Sequence, residues 1–209
     1  MGQAVVLVHG VWLGGWTLWP LARRLARRGY EPRVFSYPSV GADLRQNAAR
    51  LNDFLAPLAG GTVHLVGHSL GGILIRALFR YFPLQPVGRI VHLGTPNGGS
   101  RVARALARSA PGRRLLGRSL GQFLEEYESW GPLPRELGVI AGDVGLGVGR
   151  LLAPLPGPSD GTVTVAETRA PEAADHVVLP VSHTGMLLSR AVAQQVDAFL
   201  RTGRFARQR

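Results

Sequence analysis

The 209-residue chain has no cysteine and no lysine, few acidic groups and no long apolar run. Without cysteine there is no disulfide framework, thiolate metal site or cysteine nucleophile. The 13 acidic residues stand against 24 basic ones, all arginine, for a formal net charge of +11. Such an excess invites an anionic partner. Arginines such as Arg23, Arg24, Arg27 and Arg28 nevertheless follow helical faces, and no RNA-binding signature with aromatic platforms accompanies them. No nucleic acid is therefore expected; a composition bias that writes Arg in place of Lys is the favoured reading, and weak association with anionic membrane surfaces is the sharper alternative. The most tempting candidate for a bilayer span, 138–157, is broken by Asp143, Arg150 and Pro154. A strand pattern begins almost at once, at 3–8, leaving no room for a signal peptide; the cytoplasm is the expected location unless a leader has been removed.

At 45% hydrophobic residues, the chain can bury a core and reads as one domain spanning 1–209. Short β-rich apolar runs alternate with longer helical patterns, as in βα units around a parallel sheet. The expected strands are 4–8, 33–37, 63–66, 90–93, a run around 139–140 and one around 177–179. The expected helices are 16–28, 43–57, 70–82 and 184–200. Right-handed crossovers then give a doubly wound, mainly parallel sheet of about six strands. The rhythm breaks once, between Asn97 and Pro134. Two amphipathic segments, 100–109 and 113–127, separated by Ala110-Pro111-Gly112, favour reading this insertion (about 97–134) as a small helical lid over a pocket, with an ordinary covering helix pair as the alternative.

The strongest chemical signal is Gly67-His68-Ser69-Leu70-Gly71-Gly72, with an apolar strand before it and a helix after it. A serine in so sharp a strand-to-helix turn is presented at the carboxyl edge of the sheet, where a helix N-terminus favours developing negative charge. Gly67 and Gly71 let neighbouring segments approach without a Cβ clash.

Serine needs a base. Six histidines are present. His68 should point away from Ser69, His9 should stabilise a turn, and His64 and His92 lie within strand runs. His176 stands near the start of a strand, at the opposite edge. His183 follows the last strand and precedes the last helix, where a base can reach Ser69. Asp160, in a Gly/Pro-rich loop, is the favoured carboxylate to orient it, and Asp143, directly after the 139–142 run, is the competitor.

Acyl transfer also needs donors for an oxyanion. The Leu70 N–H is one candidate. The Val11 N–H, aimed inward by the turn at Gly10, is the second. Trp12, Leu13 and Trp16 would then offer apolar surface to an acyl chain.

These pieces, His9-Gly10, Gly67–Gly72, Gly94-Thr95-Pro96-Asn97-Gly98-Gly99-Ser100, Asp160-Gly161 and His183-Thr184-Gly185, resemble the α/β-hydrolase superfamily, and within it small bacterial serine lipases and esterases. The resemblance spans residues 5 to 185 in the family's order. It implies an α/β-hydrolase fold and a carboxylic ester hydrolase of lipase or esterase type, without cofactor or metal. Ser69, His183 and Asp160 would form the triad, acting on acyl esters or lipids of moderate to long chain. A thioesterase, acyltransferase or amidase could use the same triad, and a non-catalytic ligand receptor could reuse the fold. Two departures stand out. The chain begins at what would be the family's third strand, and Asn97 stands where lipase-like relatives often carry histidine.

Overall fold

The computed structural model describes residues 2–127, 130–147 and 149–207. Six strands, β1 (Ala4–Val8), β2 (Glu31–Phe35), β3 (Val63–His68), β4 (Ile90–Leu93), β5 (Leu137–Gly142) and β6 (Asp175–Leu179), form one sheet in the order β2-β1-β3-β4-β5-β6. Every pairing is parallel. Parallel neighbours need crossovers, and these put helices on both faces. Helices α2 (Leu44–Leu55) and α3 (Leu70–Tyr81) cover one face; α1 (Trp19–Ala26) and α8 (Arg190–Thr202) cover the other.

The period of two in the strands sorts their side chains between two cores. Val6, Val8, Val63, Leu65, Ile90 and Val139 point to the α2–α3 side, whereas Val5, Leu7, Val66, Val91, Leu93 and Ile140 meet α1 and α8. β3 and β5 are buried at every position, while the outermost strands β2 and β6 keep partly exposed ones. The chain order therefore brings the β1, β3 and β4 loops together at the carboxyl edge.

Of the boundaries that differ from the sequence reading, three are instructive. β2 lies two residues earlier, because pairing with β1 sets Glu31 against Ala4 and Phe35 against Val8, whatever the apolar content of the strand. The stretch 184–200 is divided: a 3-10 turn at Gly185–Leu187 precedes α8, which Ser189 caps through Val192 N–H. Ala110-Pro111-Gly112 is not a break but the first turn of α5 (Ala110–Glu126), where proline loses no hydrogen bond and Ser109 accepts from Gly112 N–H. The irregular point lies further on, at Gly117 (φ 72°), where α5 bends against Val40.

Together with α4 (Arg101–Ala107), α5 forms the helical insertion, docked by Val102, Ala103, Leu116, Leu120 and Phe123. Two further short helices, α6 (Gly149–Leu152) and α7 (Val165–Thr168), were not legible in the apolar pattern. Among the described residues, no helix is long and apolar enough to cross a membrane.

Candidate active site

Ser69 joins β3 to α3 with φ 53° and ψ −121°, a conformation that costs a non-glycine residue about 1–3 kcal/mol. The surroundings over-determine it. The Ser69 N–H donates to Leu93 O (2.9 Å), tying the turn to β4. A Cβ at Gly71 would lie 2.2 Å from Val8 O, and one at Gly67 would lie 2.5 Å from Gly72 N, so the turn closes only with glycine at both places.

His183 follows β6 and is buried; Asp160 is wholly buried in the loop between α6 and α7. Their side chains meet, with His183 Nδ1 2.7 Å from Asp160 Oδ2. The other oxygen, Oδ1, accepts from the N–H groups of Thr162 (2.9 Å) and Val163 (2.7 Å). Main-chain contact repeats the pairing, since His183 N–H donates to Asp160 O at 2.9 Å. A carboxylate only accepts, so Nδ1 carries a proton, and in the neutral ring Nε2 is the nitrogen with the lone pair. The competing Asp143 is exposed, and no hydrogen bond links it to His183.

Two neighbours fix the His183 ring. Gly94 (φ 55°) forms its floor: a Cβ there would lie 2.9 Å from Asp160 Oδ2 and 3.1 Å from His183 Nδ1. The His68 Nε2–H donates to the His183 carbonyl (2.9 Å), with the two rings 4.7 Å apart. The His68 Nδ1 is buried and has no hydrogen-bond partner among the described residues. Burial, and then the neighbouring His183, push the His68 pKa down to about 3, so the ring stays neutral.

The loop after β1 is organised by His9. Its Nε2 accepts from Tyr37 N–H (3.2 Å), so Nδ1 carries the proton and donates to Gly10 O (2.8 Å). Burial lowers the His9 pKa, and the ring stacks on Tyr37 at 4.4 Å. Because a trans peptide sets C=O and N–H on opposite sides, pinning Gly10 O turns the Val11 N–H away from His9. Among the described residues, no hydrogen bond takes up the Val11 N–H. Leu70 opens α3, where its N–H has no partner within the helix.

Val11, Trp12, Ser69 and Leu70 line one apolar cavity of about 50 Å³, roofed by Leu106 of α4 and by Leu116 and Leu120 of α5. Trp12 has an unusual φ of 58°, held by its N–H to Ser39 Oγ (3.2 Å) and its indole N–H to Leu115 O (2.8 Å). Leu13 and Trp16 do not line this cavity. After the bend at Trp12 the chain packs a half-buried Leu13 against the α1–α8 core, and Trp16 is 68% exposed. Ser69 Oγ makes no hydrogen bond among the described residues.

The remaining histidines serve elsewhere. His64, pushed down to about 4 by burial, lines a larger cavity of about 590 Å³ at the amino edge of the sheet, away from Ser69. His176, second in β6, faces Thr168 Oγ1 at 3.1 Å. His92 is buried and pushed down to about 3, chiefly by desolvation. Its Nδ1 meets Asn97 Oδ1 at 2.8 Å. Asn97 also bonds Arg76 (3.1 Å) and Thr168 O (2.8 Å), so it braces the loop after β4 and does not face the Ser69 cavity. No cluster of His, Cys, Asp or Glu among the described residues could hold a metal ion.

Comparison with known proteins gives this arrangement a setting. The mature form of the Bacillus licheniformis lipase BlEst2 superposes with a TM-score of 0.78 at 21% identity, covering 96% of this chain and 91% of that one. A metagenomic carboxyl esterase superposes with a TM-score of 0.68 at 17% identity, covering 87% and 64%. Salicylic acid-binding protein 2 of Nicotiana tabacum is 34% identical over 92 residues, which is 39% of this chain and 35% of that protein. The match thus spans about a third of that curated relative. The doubly wound parallel sheet has the α/β-hydrolase fold, and the model of the alpha/beta hydrolase family matches residues 5–204. With nearly its whole length inside that match, the chain belongs to the alpha/beta hydrolase family.

Proposed function

We propose that the protein is a serine hydrolase that cleaves carboxylic acyl esters through an acyl-enzyme on Ser69. One observation supports this reading: Asp160 and His183 form a buried hydrogen-bonded pair, and Ser69 is held in a strained turn after β3 of the same sheet. Ser69 Oγ attacks the ester carbonyl carbon while His183 Nε2 takes the hydroxyl proton. Asp160 holds the tautomer and balances the imidazolium that forms. The carbonyl oxygen becomes negative in the tetrahedral state, and the N–H groups of Val11 and Leu70 receive it. His183 then returns the proton to the leaving alkoxide, and water repeats the sequence to free the acid. The reading requires the Ser69 hydroxyl to turn toward His183, an alignment that often tightens only with substrate bound.

The apolar lining suits the acyl side of the ester. At about 50 Å³ the cavity holds a short acyl group as it stands, and a longer one requires α4 and α5 to move outward. The shared fold with a lipase and a carboxyl esterase supports an ester as the substrate class. The test is hydrolysis of aryl esters of rising chain length by wild type and Ser69→Ala, with fluorophosphonate labelling in parallel. Activity and labelling should vanish with the hydroxyl. Equal rates in the two proteins would end the proposal.

A further inference from the structure

The net charge is not evenly placed. Across 97–124 the chain carries Arg101, Arg104, Arg108, Arg113, Arg114 and Arg118 and no Asp or Glu. Three of them, Arg101, Arg104 and Arg108, are exposed along α4 and its C-terminal end, at spacings that put them on one side of the helix. Like charges at that spacing repel, yet no carboxylate answers them: none of the three forms a salt bridge among the described residues. Glu167, the acidic group beside the start of α4, is already engaged by the Arg101 main-chain N–H (2.6 Å) and by Thr164. Arg104 meets Tyr127, donating to its hydroxyl and lying over its ring at 5.5 Å.

These arginines line an open groove of about 410 Å³ whose opposite wall is Ala153 and Pro154. Directly before that wall, α6 presents Leu151 and Leu152, which are 87% and 38% exposed. The other side of α4 is apolar: Val102, Ala103 and Leu106 line the Ser69 cavity. A single helix, roughly 10–12 Å across, therefore separates a cationic groove with a leucine lip from the candidate ester site.

We propose that this groove and lip form a docking surface for an anionic phospholipid bilayer. The guanidinium groups bind lipid phosphates, which they match as bidentate donors, and Leu151 and Leu152 enter among the acyl chains. The leucine lip favours a lipid surface over a nucleic acid, and no aromatic side chain lines the groove for bases to stack on. Docking does not depend on ester hydrolysis. It goes beyond the catalytic reading by fixing which face of the molecule meets a lipid.

The experiment is vesicle co-sedimentation of the full chain at low salt, with phosphatidylcholine alone or mixed with phosphatidylglycerol. It is run on wild type and on Ser69→Ala, so that failure of the enzymatic reading leaves it intact. Binding should require phosphatidylglycerol. Each arginine near such a surface is worth roughly fivefold in affinity, so replacing Arg101, Arg104 and Arg108 by Gln should cost about a hundredfold. Leu151→Ser with Leu152→Ser should also weaken binding, because the acyl-chain contact is lost. A control removing equal charge from elsewhere, with Arg23, Arg27 and Arg33 changed to Gln, should retain most of the affinity. Four results would overturn the proposal: no binding, binding indifferent to phosphatidylglycerol, equal loss in the control, or duplex DNA displacing the vesicles through the same three arginines.

Discussion

His68 offers the sharpest test of how the site is held. Its Nε2–H satisfies the His183 carbonyl at 2.9 Å, while its Nδ1 is a buried acceptor with no hydrogen-bond partner among the described residues. In His68→Phe the ring remains and both nitrogens go. Leaving the His183 carbonyl unpaired costs about 1–3 kcal/mol. Removing the orphaned Nδ1 returns a desolvation penalty of similar kind, about 1 kcal/mol or more. The two largely cancel in global stability, and the urea midpoint should move little. They do not cancel at the site, where the carbonyl relaxes by shifting the very residue that bears Nε2. A loss of about 1–3 kcal/mol expressed there is roughly five- to 150-fold in kcat/KM. The assay is initial-rate hydrolysis of a soluble short-chain aryl ester, with urea unfolding alongside. His68→Gln, whose amide can donate as Nε2–H does, should recover part of the rate. The reasoning fails if the phenylalanine variant keeps the wild-type rate, or if rate and stability fall together and glutamine restores neither.

Asp160→Asn should keep the packing but present an amide where His183 Nδ1–H needs an acceptor, favouring the wrong tautomer. A fall of about 10⁴ in kcat is expected by analogy with the serine protease triad, and stopped-flow acylation would show it; a loss below tenfold would argue for another acid. Acid should destabilise the fold through buried neutral histidines. His64, His68 and His92 are held down to about 4, 3 and 3, against 6.5 when exposed. The unfolded chain therefore binds more protons between pH 6.5 and these values, and stability, complete above pH 6.5, is lost as the pH falls toward them. Urea midpoints that stay flat from pH 7 to about pH 4 would contradict this. Trp12→Phe frees Leu115 O from its 2.8 Å bond to the indole and should raise activity on longer acyl chains relative to short ones; an unchanged chain-length profile would show that this bond does not hold the roof.

The alternation of apolar runs and helical patterns was enough to read about six strands, their places along the chain and their mainly parallel arrangement, because most of them are short, apolar and bounded by turn residues; their order within the sheet came from the structure. The Ser69 turn was equally legible, since its glycines stand where no Cβ fits. Asp160 and His183 were chosen from their loops, and their side chains meet. What escaped were the contacts that organise these groups: His9 on Gly10 O, His68 on His183 O and Trp12 on Leu115 O. All three end on a main-chain carbonyl, which every residue has and no sequence pattern marks. Leu13 and Trp16 were misplaced for a related reason, because the bend at Trp12 arises from its bonds to Ser39 and Leu115 and not from a glycine. The clustering of arginine without acid in the insertion was visible in the sequence, but its meaning needed the groove.

β6 is hydrogen-bonded to the sheet on one side alone, through β5, and it leads directly into the His183 loop. A border strand can fray without the interior melting. Heat should then silence the protein before it unfolds it: the imidazole would drift off its carboxylate while β1, β3 and β4 stay paired, and prompt cooling would bring back full function.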